Sequence, residues 1–516
     1  MIRGADLSRW QLTLALATGF LAILPILAAH HLPLLDAQGH ESRLVVLHDL
    51  LISRKGSQFY ALSGFFLPNI AFDVVGLGLV GSIGPENAGR VFFALTLLLT
   101  LSGVWVLNRI ATGRWSLAPL AASLVLYNLI SILGFFSYAL GLALVPWALA
   151  GRLWLGQDRD RSLAQAAFGA AAGVLLLFCH VFDFGIYAVM VTGMVAAGLI
   201  QRRIGWSRAV LAAISLVPAL ALFLLMAREA SGHAHFEGSF LAAKLFGLLK
   251  SVTCASLAGD LTFVAGAALL AALIAFWSRP RLELGFALGL AGLALLYMAL
   301  PDKLATGSYV DKRMPIAFGL LLLAGLDIQV RRTRTALAIV CLIGVAVAGK
   351  QVAIAALWRS FDPVIDQMAQ AFQAMPAGAV LLQAECEPEA SQVMGIYRER
   401  QPSLTHVSAM AAFGDARFAA ATWAIAGQHT IQVKPDYRDF YDLQESFGSS
   451  TCAEAGYRAE IEQIRTLLGA RLIAGNATPV YFLLIRPTTG TLASAYTKLI
   501  ASAPLFALYE INPPAD

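Results

Sequence analysis

Apolar residues in this chain gather into long runs broken by short polar stretches, with little of the alternation that marks half-buried strands. The runs cover about 8–29, 91–108, 115–132, 134–150, 163–180, 184–200, 209–227, 259–278, 284–300, 314–328 and 335–352. Most are close to the length needed to cross the hydrocarbon core of a bilayer as a helix, so the pattern predicts about eleven transmembrane helices. Ser8 to Ala29 follows Arg3 and Arg9, which places the N-terminus in the cytoplasm. No small-x-small cleavage site precedes the loop at Asp36, so the run reads as a retained anchor and not as a cleaved signal.

The breaks orient the spans. NRIATGRW (108–115), GRLWLGQDRDR (151–161), QRRIGWSR (201–208), SRPR (278–281) and QVRRTR (329–334) are short and arginine-rich. Strict alternation from 91–108 puts all five in the cytoplasm. Asn69 to Ser82 is apolar but only about 14 residues long, too short to cross comfortably. It is therefore expected as a helix in or dipping into the outer face, closed by Gly84, Pro85 and Glu86. The outer side then holds 30–90, turns near Gly134 and His180, loops 228–258 and 301–313, and everything after about 353.

Beyond Ser360 the period changes. Asp362 to Ala374 reads as a helix; AVLLQAE (379–385), TIQVK (430–434) and VYFLLIR (480–486) read as strands. AEIEQIRTLLG (459–469) and TLASAYTKLIASA (491–503) have helical apolar spacing. The expected organisation is a transmembrane bundle over 1–352, with an outer-face first loop at 30–90, and an extracytoplasmic α/β domain over 353–516.

Composition agrees. The chain is 58% hydrophobic and 13% charged, with mean hydropathy +0.70. Soluble domains carry roughly a quarter charged residues, so this is an integral membrane protein. The net charge of +5 sits mainly at span ends, and no basic-aromatic stripe points to nucleic acid. Of the five cysteines, Cys179, Cys254 and Cys341 lie in or beside apolar stretches, whereas Cys386 and Cys452 can pair if their region is extracytoplasmic. No cysteine–histidine spacing resembles a zinc site.

Charge is scarce at the membrane, so where it collects matters. The loop after the first span carries Asp36, His40, Glu41, Arg43, His48, Asp49, Arg54 and Lys55. Asp36 and His40 are four apart and share a face if a helix starts there. Asp36 then either caps that helix or serves as a catalytic carboxylate. His180 and Asp183 end a span, and Asn128 and Tyr138 sit near two others. Lys303, Lys312 and Arg313 lie on the outer face against the charge bias and suit a lipid phosphate, the alternative being pairing with Asp302 and Asp311. The loop 228–258, with Arg228, His233, His235, Glu237, Lys244 and Lys250, offers an amphipathic lid; its His-x-His pair is a weak metal signal.

These features resemble the GT-C superfamily of multispan glycosyltransferases. The match rests on a first span, an outer loop with an early acidic residue, the short helix in PNIAFDVVGLGLV, and Gly-Pro-Glu-Asn-Ala-Gly-Arg leading into the next span. A bacterial GT-C-like group is closer still, with Asp-x-x-x-His-x-x-Arg matched by Asp36, His40 and Arg43, and with LPNIAFD (67–73), YNLISILGFFSYALGLAL (127–144), AGQHTIQVKPDY (426–437) and YFLLIRP (481–487). The resemblance implies transfer of a sugar from a polyprenyl-phosphate donor to a glycan, lipid or protein acceptor outside the bacterial inner membrane. It gives Asp36 alone a role, as catalytic base or metal-site residue; beside it, His40 is expected to be catalytic, and Arg43, His180, Lys303, Lys312 and Arg313 to bind substrate. The adjacent acidic pair of some subfamilies is missing, since Ala37 follows Asp36, so a divalent cation stays open as cofactor. Two other functions fit: a transporter or flippase for a lipid-linked glycan, and a non-catalytic subunit of an envelope polysaccharide assembly.

Overall fold

The computed structural model describes residues 9–226, 234–236, 239–252, 254, 257–278, 280–304, 307–328, 330, 333–386, 404–414, 417–447, 454–475, 478–487 and 495–514. They divide into two compact units. The first comprises Met1–Ala28, Pro68–Ala71 and Phe93–Ala356; the second comprises Ala29–Leu67, Phe72–Phe92 and Leu357–Asp516. The first loop is thus part of the same unit as the C-terminal third of the chain.

The first unit is helical. Among the described residues seven helices are long and apolar enough to cross a membrane, and five shorter apolar ones accompany them. A helical segment coincides with each apolar run of the sequence. The run 115–132 is irregular: a 3-10 segment at Ala118–Leu124 and a helix at Leu129–Leu133 are separated by Asn128. Asn128 Oδ1 accepts from the amides of Ile130 and Ser131 at 2.9 and 3.2 Å, which starts the second segment. The break frees carbonyls, and Lys350 Nζ donates to two of them, on Leu124 and Tyr127, at 2.7 and 2.8 Å. An ammonium buried in a bundle is tolerated on such terms.

Helices Val181–Ile200 and Leu284–Ala299 meet at backbone distance. A β-carbon on Gly193 would stand 2.6 Å from the Gly289 Cα and 3.0 Å from the Gly285 carbonyl. Gly285 and Gly289 form a G-x-x-x-G pair, whose missing side chains let two helices approach closely where lipid offers no hydrophobic drive.

The second unit is built on a five-stranded sheet in the order Thr497–Ala503, Phe506–Ile511, Val480–Ile485, Val380–Glu385, Phe418–Ala419. Val380–Glu385 runs parallel to both neighbours; the other two pairs are antiparallel. Every residue of Val480–Ile485 is buried, as expected of a central strand covered on both faces. Helix Asp362–Gln373 packs on one face with Ile365, Met368 and Phe372. On the other face Tyr457, Ile461 and Ile464 of helix Glu454–Ile473 join Val46, Leu47, Phe59 and Tyr60 of the first loop in one core. A small antiparallel ladder completes this link, Tyr60–Leu62 pairing with Ile431–Val433.

One expectation fails here. Residues 497–503, read as helical, form a strand. Thr497–Ala503 is an edge strand whose partner Phe506–Ile511 follows after a tight turn, with an irregularity between Leu499 and Ala501. That irregularity breaks the period of two and imitates helical spacing. Asn69 to Ser82 is helical, over Ala71–Ile83. Cys386 is disulfide-bonded, and Cys452 lies outside the described residues.

Candidate functional site

Helix Ala37–Leu51 begins beside Asp36, which occupies the N-cap position. Its side chain makes no capping hydrogen bond. The carboxylate turns instead toward the C-terminal part of the same unit, where His406 Nε2 lies 3.6 Å from Asp36 Oδ1. Asp36 is only 2% exposed, where a wet hollow is expected for a base.

One turn on, the helix contributes His40 and Arg43, both buried. Arg43 Nε donates to both oxygens of Asp73 at 2.9 and 3.0 Å, and one Nη donates to Oδ1 at 2.7 Å. The same Nη reaches His40 Nδ1 at 2.8 Å. Thr430 Oγ1 donates to Asp73 Oδ2 at 2.7 Å, which joins helix Ala71–Ile83 to the C-terminal residues. The Asp-x-x-x-His-x-x-Arg motif is therefore largely the inner side of a polar core.

Trp423 lies at the centre of that core. Its ring centroid is 5.4 Å from His40, 5.5 Å from His406 and 5.2 Å from His429. Its Nε1–H donates to His406 Nδ1 at 3.1 Å. The indole sits directly on the backbone of Gly39, where a β-carbon would stand 2.8 Å from Cδ1. Burial and the neighbouring Arg43 hold His40 well below the usual histidine range. Burial lowers His406 to about 4, with the Ala421 carbonyl and Glu385 pulling the other way. All three imidazoles are thus neutral at pH 7, His429 lowered by burial and by Arg43.

At the edge of this unit His31 binds two carboxylates. Its Nδ1 is 2.6 Å from Glu86 Oε1 and its Nε2 2.8 Å from Asp366 Oδ1. Burial pushes its pKa down, but the two hydrogen-bonded carboxylates outweigh burial and leave it at about 9. Glu41 is buried too; desolvation first, then the charge of Glu86, raises its carboxyl well above the usual range.

The remaining sequence candidates lie in the first unit. His180 is the extended residue between helices Ser162–Cys179 and Val181–Ile200. Its Nε2 stands 2.8 Å from Arg313 Nη1. The Arg313 guanidinium is also caged by Phe135, Tyr138 and Phe182, with ring centroids at 4.9, 5.0 and 5.0 Å. Three aromatic faces stabilise a desolvated cation without neutralising it. Asp183, in the next turn, is fully buried.

Lys312 and Arg313 are neighbours in sequence but differ in setting. Lys312 Nζ is buried against Asp302 and Asp311, the pairing alternative raised from the sequence. Asp311 also binds Lys244 at 2.8 Å, so Lys244 is an ion-pair partner and not an exposed lid residue. Lys303 is exposed in a two-residue ladder with Ala234–His235. Arg228, His233 and Glu237 lie outside the described residues. Among the described residues no three His, Cys, Asp or Glu side chains group as a metal site.

His406, Trp423 and His429 were missed by the sequence reading. Their neighbours in SLTHVSAM and TWAIAGQHT carry no spacing that points back to a loop nearly 400 residues earlier. Asp73 had a usable signal, as the lone charge in the apolar stretch NIAFDVVGLGLV.

No family model matches the chain, and no curated protein matches it in sequence. Solved structures match it in fold. ArnT from Cupriavidus metallidurans bound to undecaprenyl phosphate superposes over 97% of this chain and 98% of its own, with TM-score 0.54 and 13% identity. The apo state of the same protein gives TM-score 0.54 and 13% identity over 97% of both chains. The chain thus has an ArnT-like fold, with several helices long and apolar enough to cross a membrane.

Proposed function

We propose that this protein is a membrane glycosyltransferase that moves a sugar from a polyprenyl-phosphate donor to an acceptor hydroxyl outside the bacterial inner membrane. The N-terminus is cytoplasmic and the C-terminal unit extracytoplasmic. The observation that carries this reading is the near-complete superposition on ArnT, whose solved structure holds undecaprenyl phosphate. The bundle adds an apolar cavity of about 530 Å³, lined by Leu124, Phe263, Ile274, Leu322 and Ile343, a chemistry that suits a prenyl tail. Arg313, caged and next to His180, is the cation best suited to a phosphate in that unit.

In this reading Asp36 takes the proton of the acceptor hydroxyl as its oxygen attacks the anomeric carbon of the donor. The bond from that carbon to the phosphate oxygen breaks, and polyprenyl phosphate leaves with the electron pair. His40 and Arg43 hold the helix that presents Asp36. Lys312 supports the region around Arg313 through its ion pairs.

The burial of Asp36 favours a second reading, a non-catalytic subunit of an envelope assembly in which the carboxylate is structural. One experiment separates the two. Purified protein in liposomes receives undecaprenyl phosphate bearing radiolabelled glucose, mannose, galactose or arabinose, together with an envelope fraction as acceptor. Transfer by wild type that falls at least a hundredfold in a folded Asp36→Asn variant, the scale of general base catalysis, supports the transferase. Transfer undiminished in Asp36→Asn removes Asp36 from the chemistry, and no transfer from any donor favours the subunit.

A further inference from the structure

The three buried imidazoles around Trp423 differ in what they face. His40 Nδ1 meets Arg43, and His429 Nδ1 accepts from the amide of Ile425 at 3.2 Å, so both serve the core. His406 Nε2 lies 3.6 Å from the carboxylate of the proposed base. We propose that His406 is a positioning residue for Asp36, held by Trp423 in the tautomer whose Nε2–H faces the Asp36 carboxylate. The inference rests on the transferase reading.

The indole Nε1–H can only donate, so the bond at 3.1 Å makes His406 Nδ1 the acceptor. A neutral imidazole then carries its hydrogen on Nε2, the atom 3.6 Å from Asp36 Oδ1. That separation is longer than a hydrogen bond, as contacts at unliganded catalytic sites often are before substrate tightens them. Donation to Oδ1 fixes the plane of the carboxylate and favours its ionised form. The His406 side chain is 20% exposed and that of Asp36 only 3%, so the imidazole is the more accessible of the two. The Ala421 carbonyl also approaches the ring, Glu385 and His40 are the other ionisable neighbours, and Gly39 lets the indole settle where it does.

The test uses whichever labelled donor wild type accepts, and compares wild type, His406→Gln, His406→Phe and Trp423→Phe at pH 5–9. His406→Phe should lower kcat roughly ten- to a hundred-fold, the worth of a hydrogen bond to a charged group, with KM little changed. The acid limb of the kcat profile should move to higher pH, because Asp36 loses a donor that favours its ionised form. His406→Gln, which keeps an N–H in reach, should recover part of kcat, and Trp423→Phe should fall between. Melting temperatures identify variants that fail to fold, and Trp423→Phe carries the test if His406→Phe is one of them. A loss of kcat with an unmoved acid limb would make His406 merely structural and overturn the inference, as would full activity in His406→Phe. Absence of transfer by wild type overturns the inference together with the transferase reading, whereas normal wild-type transfer with unaffected variants overturns the inference alone.

Discussion

Arg43 closes side-on against Asp73, with Nε and one Nη both donating to the carboxylate at 2.7–3.0 Å and both residues almost wholly buried. Removing one partner of such a pair leaves the other charge buried and uncompensated, which costs about 3–5 kcal/mol. Asp73→Asn should therefore lower the melting temperature of purified protein far more than Arg438→Ala, which breaks an exposed pair with Asp442. Arg43→Lys should not restore the site, since an ammonium cannot reproduce the planar fork. Equal melting temperatures for Asp73→Asn and Arg438→Ala would show that the pair is not a stabilising contact.

His31 makes stability depend on pH. Its folded pKa of about 9 lies above the ordinary 6.5. The sign is that of a raised base: the contribution is complete below pH 6.5 and is lost as pH rises through 9. Linkage sets an upper bound of about 3 kcal/mol, reduced by solvent screening because Asp366 is largely exposed. The melting temperature of wild type should decline between pH 6.5 and 9, and that of His31→Gln should decline less. Parallel curves would remove the imidazolium from the account.

Glu41 acts in the same direction from a lower starting point. A carboxyl raised by burial stabilises the fold in its protonated form, and that contribution fades as pH climbs above the ordinary 4.5. Glu41→Gln keeps the shape and removes the need for a proton, so at pH 8 it should melt at a higher temperature than wild type. At pH 4 the two should coincide. A variant less stable than wild type at pH 8 would mean that Glu41 is ionised and paired.

Gly289 leaves no room for a side chain. Its β-carbon would stand 2.6 Å from Met190 Sδ and 3.2 Å from the Met190 Cα. Sulfur at the end of a flexible chain yields, but the backbone does not, so Gly289→Ala should cost about 1–3 kcal/mol and Gly289→Leu should abolish the folded bundle. Gel filtration in detergent reads this directly. A monodisperse Gly289→Leu protein would show that the two helices do not meet there.

The bundle was legible because lipid imposes one rule everywhere: an apolar run of sufficient length is a helix. The rule gives no help inside a run, and the interruption at Asn128 was invisible although Asn128 itself was noticed. In the sheet, VYFLLIR was readable from its β-branched and aromatic content, whereas 497–503 was not, since its irregular register removes the alternation. The candidate site was half visible. Asp36, His40 and Arg43 declared themselves as charge near a membrane, and His180 and Arg313, also singled out, lie 2.8 Å apart. What Arg43 is for depended on Asp73 and Thr430, and what Asp36 faces depended on His406. Those partners are brought in by tertiary packing, which local spacing does not encode. Lys312 pairs with Asp302 and Asp311, the alternative that its sequence neighbours already offered.

The ladder between Tyr60 and Val433 has a consequence for biosynthesis. When the ribosome has delivered the Tyr60 segment, the strand it needs is still untranslated and arrives only after the helical bundle has been made. At about 5–20 residues per second the wait is on the order of tens of seconds. Throughout it, Phe59 and Tyr60, fully covered in the finished molecule, have no native cover from the C-terminal chain. Nascent chains of this protein are thus a natural client for chaperones that shield aromatic segments, and truncations ahead of Ile431 should be degraded, not accumulate as a stable half-protein.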